Sequence, residues 1–347
     1  MSGFSIFIAR DYMLDAMLER LAQAMTEAGH RVIRGEPVAP GQVRMMKLGS
    51  SDVATLAQAD VAVLTGRTPI SEDGLAACHR LRGVVAPSIG VDFIDLHMAS
   101  RLGVLVTNGA TVECVVSTAE ATVMLMLMLL YRPDWSQQVL QGTRERPSPS
   151  PEARWARTLF RKKVGLVGSG NIASRVAERL HSFGARIVVA NYVRLNRGGV
   201  PTFVAVEPLD ELLASCDIVS LHAKAVPNQA PLIGRSELSL MRPNAYIVNT
   251  ARGALVDQHA LYEALAQKKI AGAALDTFEV EPLPNDSPLR SLGNVLLTPH
   301  MVGATRELYD SLYDAAQDNV RALLAGKVPP FCLNHGIAAA WLKRWGT

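Results

Sequence analysis

Cysteine is scarce in this sequence, and no two cysteines are close enough to suggest a shared site. Cys78, Cys114, Cys216 and Cys332 form no C-x-x-C pair, which argues against both a structural zinc site and a disulfide framework. We therefore predict no bound metal. Free thiols are typical of a reducing compartment, and the segment before Asp11 lacks the basic region of a signal peptide. Both observations predict a cytoplasmic protein.

An excess of charge of one sign is also lacking. The chain has 35 basic and 32 acidic residues, a balance that predicts neither a nucleic-acid partner nor a membrane surface as partner. The longest apolar run, Val123 to Tyr131, is too short to cross a bilayer and predicts a buried helix. A length of 347 residues with 49% hydrophobic content suggests two well-packed domains.

Short apolar runs alternate with helical patterns in the first third of the chain. Strands are predicted at Ser5–Ala9, Arg31–Ile33, Val61–Leu64, Gly83–Val85 and Val104–Thr107. A long apolar helix follows from about Ser117 to Tyr131. The stretch from Gln141 to Arg154 is rich in Pro, Ser and charge, and we interpret it as an exposed loop, either a linker or an arm on another subunit.

A second alternation begins at Val164 and contains six predicted strands. They are Val164–Val167, Ile187–Ala190, Asp217–Leu221, Ala245–Val248, Ala273–Asp276 and Val295–Leu297. Helices are predicted between them, for example Asn171–Phe183 and Gln258–Gln267, and a last helix spans Arg306–Leu324. Alternation of this kind predicts an α/β protein with two doubly wound parallel sheets.

A glycine-rich turn follows the first strand of the second alternation. Residues 168–173 read Gly-Ser-Gly-Asn-Ile-Ala, the G-x-G-x-x-A pattern of a dinucleotide-binding turn. Its first glycine permits the turn, its second lets a pyrophosphate approach the backbone, and Ala173 allows close helix packing. The predicted phosphate-binding residues are Gly168, Ser169, Gly170, Asn171 and Ile172.

The choice between NAD and NADP is left open by the end of the next strand. Asn191 stands where an acidic residue usually holds the ribose 2′-hydroxyl of NAD. Arg194 and Arg197 lie close enough in sequence to pair with a 2′-phosphate; the alternative is that both simply solvate a loop. We therefore expect NAD or NADP as the cofactor, with Asn191 and Arg194 beside the adenosine ribose.

Functional groups follow three later strands. Arg252 comes after the strand ending near Val248, Glu281 follows the next strand, and His300 the last. Ligands of open α/β sheets bind at the carboxyl ends of the strands. A guanidinium holds a carboxylate, an imidazolium protonates a forming alkoxide, and a neighbouring carboxylate orients the imidazole. These residues predict carbonyl reduction of a 2-keto acid.

These motifs resemble those of the D-isomer-specific 2-hydroxyacid dehydrogenases, a family that includes glyoxylate/hydroxypyruvate reductases and glycerate and 3-phosphoglycerate dehydrogenases. The likeness runs from about Val61 to His300. It is strongest in residues 88–95 (Ser-Ile-Gly-Val-Asp-Phe-Ile-Asp), 217–222 (Asp-Ile-Val-Ser-Leu-His) and 249–257 (Asn-Thr-Ala-Arg-Gly-Ala-Leu-Val-Asp).

The resemblance implies a role for each site residue. Arg252 would anchor the substrate carboxylate, His300 would be the acid–base residue, and Glu281 its partner. The backbone of Ile89, Gly90 and Val91 would cradle the carboxylate. Asp276 would hold the nicotinamide carboxamide, with His222 and Thr250 also on the cofactor side. The implied activity is that of an NAD(P)-dependent D-2-hydroxyacid dehydrogenase.

The resemblance also implies a domain plan and an assembly. A Rossmann cofactor domain, residues 108–300, would be inserted into a split, flavodoxin-like substrate domain formed by residues 1–107 and 301–347, with the active site in the cleft between them. A dimerisation arm around residues 108–150 would make the protein a homodimer.

Departures from the family pattern leave the substrate open. Phe93 replaces a common Asn, and Lys224 replaces a common Pro, so we expect changes at the substrate and cofactor edges. We expect Arg67 to be an exposed loop arginine rather than a contact to a distal phosphate. The direction of the reaction and the role of the tail after Asn334 are also open. The alternative function is an NAD(H)-sensing, corepressor-like module that binds protein partners without turnover.

Overall fold

The structure is a computed structural model that describes residues 3–39, 48–145, 156–190, 204–225 and 229–346. It contains two compact units. The first comprises Met1–Cys114 with Thr305–Thr347, and the second Val115–Ala304. The sequence places the corresponding boundaries at 107/108 and 300/301. The Asn191, Arg194 and Arg197 predictions, and most of the predicted 141–154 loop, lie outside the described residues.

Strands and helices alternate along both units. The strands are β1 (Ser5–Ile8), β2 (Arg31–Arg34), β3 (Val61–Val63), β4 (Gly83–Val85), β5 (Leu105–Thr107), β6 (Lys163–Val167), β7 (Arg186–Ala190), β8 (Ala205–Glu207), β9 (Ile218–Leu221), β10 (Tyr246–Asn249), β11 (Gly272–Leu275) and β12 (Val295–Leu297). The helices are α1 (Asp15–Glu27), α2 (Ser50–Leu56), α3 (Glu72–Ala76), α4 (Leu96–Arg101), α5 (Val112–Tyr131), α6 (Pro133–Leu140), α7 (Asn171–Ser182), α8 (Leu209–Ser215), α9 (Arg235–Leu240), α10 (Gln258–Ala266), α11 (Arg306–Leu324) and α12 (Ala338–Trp345).

The first unit is built on a five-stranded parallel sheet. Its order, β2-β1-β3-β4-β5, is that of flavodoxin-like folds. Successive side chains of a strand point to opposite faces, so Ile6 and Ile8 pack on one side with α1 and α11, while Phe7 packs on the other. Both faces of the sheet are therefore buried, as expected for a parallel sheet covered by helices.

The second unit is built on a seven-stranded parallel sheet. Its order is β12-β11-β10-β9-β6-β7-β8, which is the Rossmann order extended by one strand. At its centre, a Cβ on Gly165 would lie 2.4 Å from Leu212 Cδ2, so helix α8 packs directly on β6. The two sheets confirm the predicted fold class of two doubly wound α/β sheets.

The sheet of the second unit has one strand more than the six predicted. The additional strand, β8, is short and lies at the sheet edge, and its residues Ala205 and Val206 are exposed. Because neither face of this strand is buried, it lacks the apolar run on which the other strands were recognised.

The long apolar helix begins earlier than predicted, at Val112 rather than Ser117. Thr111 Oγ1 accepts a hydrogen bond from the Cys114 backbone N–H at 3.2 Å and so caps the first turn. The complete helix has 20 residues, and by length and composition it is apolar enough to cross a membrane. Most of it is buried within the protein, however: Leu125, Met126 and Leu129 pack in the core of the second unit.

The C-terminal tail packs on the first unit. Asn334 Oδ1 accepts from the Val106 N–H at 2.9 Å, and its Nδ2 donates to Val104 O at 2.9 Å and Ser100 Oγ at 3.1 Å. Farther along, the buried Trp341 donates to Arg82 O at 2.7 Å. The tail therefore covers β5, which would otherwise be an open sheet edge.

We expect Asn334→Ala to lower the free energy of unfolding by about 2–3 kcal/mol, because it leaves strand-edge groups of β5 without partners. Chemical denaturation measures this loss. Asn334→Asp keeps the acceptor for Val106 but turns its second carboxylate oxygen toward the Val104 carbonyl oxygen, so we expect it to be destabilised as well. Equal stability of Asn334→Ala and the wild type would contradict the role assigned to the tail.

Candidate active site

The glycine turn connects β6 to α7. Gly168 has a φ of 126°, in a region that side chains rarely adopt, and a Cβ there would lie 2.6 Å from the His222 carbonyl carbon and oxygen. The His222 N–H in turn donates to Val167 O at 2.8 Å. Glycine is therefore required at 168 because the chain after β9 packs against the turn.

The second glycine of the turn faces open space. No atom lies within 4 Å of a Cβ placed on Gly170, although this residue is the N-cap of the 12-residue helix α7. No side chain caps the helix there, so the first N–H groups of α7 remain available to an anion. The turn fits the pyrophosphate of a dinucleotide, and the buried Ala173 packs beneath it.

His222 is the next group along the sheet edge. Burial lowers the pKa of His222 to about 4, and its Nε2 lies 3.0 Å from Ser220 Oγ. The imidazole is therefore neutral at physiological pH and adds no positive charge beside the glycine turn. His222 therefore lies beside the glycine turn as a neutral side chain and does not act as a proton donor.

Arg252 follows β10 in a turn that Asn249 holds. The Asn249 side chain accepts from the Ala251 N–H at 3.0 Å and donates to Arg252 O at 2.8 Å. Arg252 Nη1 donates to Ala251 O at 2.6 Å. Thr250 is held from the other side, because its hydroxyl lies 2.9 Å from that of Thr122 on α5. The turn therefore has little freedom to change conformation.

The Arg252 turn packs on the segment that carries Glu281. A Cβ on Gly253 would lie 1.9 Å from the Phe278 carbonyl carbon and 2.0 Å from its oxygen. The two backbones thus touch where only glycine fits. This contact places Arg252 and the segment of residues 276–281 side by side at the carboxyl edge of neighbouring strands β10 and β11.

His300 and Glu281 form a hydrogen-bonded pair. His300 Nδ1 lies 2.8 and 2.9 Å from the two carboxyl oxygens of Glu281, and both side chains are more than three-quarters buried. A carboxylate only accepts, so Nδ1 carries the proton in this pair. Glu281 also accepts from the Phe278 N–H at 3.1 Å, which fixes its orientation. Sequence reasoning paired these two residues, and the structure brings them together.

His300 has an unusual backbone conformation. Its φ is 53°, a left-handed value that costs a non-glycine residue roughly 1–2 kcal/mol. Asp276 stabilises the chain on either side: its Oδ1 accepts from the Thr298 hydroxyl at 2.7 Å and from the Met301 and Val302 N–H groups at 3.0 and 3.1 Å. Asp276 therefore holds the loop in which His300 lies.

Residues 89–91, for which a carboxylate cradle is predicted, lie in the first unit after β4. Here the carbonyl oxygens are engaged: Asn108 Nδ2 donates to Ile89 O at 2.9 Å and Ser88 Oγ to Gly90 O at 2.8 Å. By contrast, the N–H groups of Ile89, Gly90 and Val91 donate to no acceptor within the described ranges. These adjacent N–H groups are therefore available as donors to an anion.

Two sequence expectations outside these groups were wrong. Phe93 is not at a substrate edge: it is buried in the core of the first unit, so its replacement of Asn affects packing. Arg67 is not an exposed loop arginine, because it is mostly buried and paired with Asp11 at 3.0 Å. Its partner comes from a distant part of the chain, which no local pattern reveals. Lys224 is exposed, as its position after β9 suggests.

Among the described residues, no three His, Cys, Asp or Glu side chains lie close enough together to bind a metal ion. All four cysteines lie in the described part of the chain, where they are buried and form no disulfide with one another. Burial raises the pKa of the Cys114 and Cys216 thiols to about 12. These thiols therefore act as small core residues rather than as nucleophiles.

We expect Gly170→Ala to leave the melting temperature unchanged and to weaken NADH binding at least about tenfold, because its methyl group would enter only the space assigned to the pyrophosphate. Fluorescence titration with NADH measures the affinity. Gly293→Ala is the matched control. A Cβ at Gly293 also meets no atom within 4 Å, but Gly293 precedes β12 and so lies at the amino ends of the strands, away from the glycine turn. Unchanged affinity in Gly170→Ala would exclude this cofactor site.

Known proteins resemble this chain in both sequence and fold. The chain is 38% identical to a glyoxylate reductase of Aeropyrum pernix over 81% of its length and 84% of that protein. It is 34% identical to a glyoxylate reductase of Korarchaeum cryptofilum, over 80% of this chain and 82% of that one. The solved TT0316 protein of Thermus thermophilus superposes with a TM-score of 0.79 at 30% identity, covering 95% of this chain and 99% of that chain.

A family model matches the second unit almost from end to end. Residues 123–302 match the NAD-binding domain of the D-isomer specific 2-hydroxyacid dehydrogenases, a range that contains the glycine turn, Arg252, Glu281 and His300. Together with relatives named as reductases over four-fifths of the chain, this match shows that the protein is an oxidoreductase of the D-isomer specific 2-hydroxyacid dehydrogenase family.

Proposed function

We propose that the protein reduces a small 2-keto acid, such as glyoxylate or hydroxypyruvate, to the D-2-hydroxy acid. The observation that carries this proposal is the His300–Glu281 pair, held at the same sheet edge as the Arg252 turn and the dinucleotide turn. An acid–base group, a carboxylate anchor and a hydride source are the parts that this reaction needs.

The cofactor proposal rests on the edge formed by β6, β9, β10 and β11. Residues 168–172 would hold the pyrophosphate at the start of α7. His222, Thr250 and Asp276 would line the nicotinamide side. When bound, the nicotinamide cofactor supplies the hydride. Asn191 and Arg194 would contact the adenosine ribose, and NAD and NADP both remain candidates because no acidic residue stands at 191.

The protonation step belongs to His300. With its Nδ1 proton directed to Glu281, protonated His300 would donate from Nε2 to the oxygen of the reduced carbonyl. Glu281 orients the ring through its hydrogen bond to Nδ1. Arg252 would bind a substrate carboxylate with two parallel N–H donors, and in the first unit the N–H groups of Ile89, Gly90 and Val91 are the proposed backbone donors to a carboxylate. Each group would thereby help align the carbonyl for reduction.

The decisive experiment follows the oxidation of NADH and of NADPH with glyoxylate, hydroxypyruvate, pyruvate and bulkier 2-keto acids. We expect turnover of at least one small acid. His300→Asn should lower kcat by about 10²–10⁴-fold with cofactor affinity unchanged, since Asn tolerates the positive φ at 300. Arg252→Ala should lower kcat/KM chiefly through a higher KM.

His259→Asn is the matched control for His300→Asn. His259 also pairs with a glutamate, Glu263, at 3.3 Å, but on an exposed helix surface, so its loss should leave turnover unchanged. Wild-type rates in His300→Asn would contradict the assigned mechanism. Cofactor binding without turnover of any acid would instead favour the alternative function of a dinucleotide-sensing module. The two glyoxylate reductases and the TT0316 protein do not have this function in their names.

We also propose that the domains follow the inserted arrangement expected from the family, and that the protein is a cytoplasmic homodimer without nucleic-acid or membrane partners. The four buried cysteines form no disulfide among the described residues, which supports a reducing compartment. The exposed apolar surface of α5 supports the dimer. There Met124, Leu127, Met128, Tyr131 and Phe183 line a groove of about 590 Å³, and nearly half of the surface of Tyr131 is exposed.

A charge introduced in this groove tests the dimer. We expect the wild type to sediment as a dimer and Met124→Arg to sediment as a monomer, because an arginine buried in an apolar interface loses its hydration. Val206→Arg is the matched control: Val206 is 41% exposed and Met124 43%, but Val206 lies on the edge strand β8. A monomeric wild type, or a dimeric Met124→Arg, would contradict the proposed interface.

A further inference from the structure

A polar cluster lies beside the carboxylate cradle at the carboxyl edge of the first sheet. Asp11 follows β1, Arg67 follows β3, and the cradle of residues 89–91 follows β4. These three strands are parallel neighbours in the order β1-β3-β4. The segments that follow them therefore emerge in this order along the carboxyl ends of the strands, and the segment that carries Arg67 lies between the other two.

Asp11 and Arg67 form a buried ion pair. Arg67 Nη1 lies 3.1 and 3.0 Å from the two carboxyl oxygens of Asp11. The exposed side-chain fractions are 1% for Asp11 and 17% for Arg67. Arg67 Nη2 donates to the Tyr12 hydroxyl at 3.2 Å, and its guanidinium carbon stands 4.4 Å from the centre of that ring. Arg67 is therefore held by the Asp11 carboxylate and by the hydroxyl group and ring of Tyr12.

The first turns of α11 connect this cluster to the cradle. Tyr309 stands near both members of the pair, and its pKa is raised by burial and by the charge of Asp11. One turn later, a Cβ on Gly109 would lie 2.3 Å from Leu312, and the Gly109 N–H donates to Ser88 O at 2.8 Å. The same helix thus borders the ion pair on one side and the start of the cradle on the other.

The charge of Arg67 is already compensated. Asp11 Oδ1 also accepts from the Met13 and Leu14 N–H groups at 2.9 and 3.3 Å, which hold the carboxylate in place. A second anion near Arg67 would have to displace a buried, hydrogen-bonded carboxylate or approach it against its charge. A neutral substrate substituent near Arg67 meets neither obstacle. Repulsion by a fixed charge, here the Asp11 carboxylate, is a common source of specificity.

We propose that Asp11 makes the enzyme selective for 2-keto acids whose far end is uncharged, by neutralising Arg67 beside the carboxylate cradle. The inference rests on the proposed function, because it assumes that the substrate carboxylate is held by residues 89–91. The far end of the accepted substrate would then be a hydrogen, methyl or hydroxymethyl group. Substrates with a phosphate or a second carboxylate at that end would be rejected.

The test compares the binding of D-glycerate and of 3-phospho-D-glycerate, measured by calorimetry at saturating NAD. The wild type should bind D-glycerate more tightly. Asp11→Asn keeps the shape and the acceptor oxygen but removes the charge, so Arg67 becomes available to the phosphate. The ratio of the two dissociation constants should shift toward 3-phospho-D-glycerate by about 10–100-fold.

Two further variants identify the cause of the shift. Asp11→Asn combined with Arg67→Met should return the ratio toward the wild-type value, since the cation that attracts the phosphate is gone. Asp60→Asn is the matched control. Asp60 is buried and paired with Arg80 at 3.2 Å, but it lies at the opposite, amino end of β3, so its loss should leave the ratio unchanged.

The inference and the proposed function fail in different ways. Normal turnover of glyoxylate or hydroxypyruvate together with an unchanged ratio in Asp11→Asn would overturn the inference alone. If Asp11→Asn does not fold, tighter wild-type binding of 3-phospho-D-glycerate than of D-glycerate overturns it equally. Absence of both turnover and binding of either acid would overturn the proposed function, and the inference with it.

Discussion

The contact between the backbones of Gly253 and Phe278 is the constraint on which the second unit's functional groups depend. No side chain fits between them, so the turn that carries Arg252 lies directly on the segment that leads to Glu281. Glu281 in turn orients His300. A guanidinium and a histidine–glutamate pair that follow three strands thereby share the carboxyl edge of one sheet.

Stabilising contacts around His300 offset the cost of its backbone conformation. A positive φ at a residue other than glycine is unfavourable, yet three hydrogen bonds to Asp276 Oδ1 hold the segments on both sides of His300. The energy that keeps the imidazole in place therefore comes from neighbours that perform no proton transfer themselves. Asp11 has a comparable position in the first unit, where it orders Arg67 and sets the local charge.

Failures of the sequence predictions share a physical cause. Strand β8 was missed because both its faces are exposed, and the true start of α5 was missed because a threonine cap, rather than an apolar pattern, determines it. Phe93 and Arg67 were misplaced because their surroundings come from remote segments. Hydrophobic periodicity reports only interactions that are apolar and local in sequence. In each of these cases the deciding interaction is polar or comes from a distant segment.

The sequence by itself determined the family of the fold and predicted the dinucleotide turn and the candidate site residues His300, Glu281 and Arg252. Local patterns suffice for these, because apolar runs define strands and parallel strands bring their carboxyl ends to one edge. Only the tertiary structure decided that Gly253 must be glycine, that the tail covers β5, and that Asp11 neutralises Arg67. These depend on distances between segments far apart in the chain, which no stretch of sequence contains.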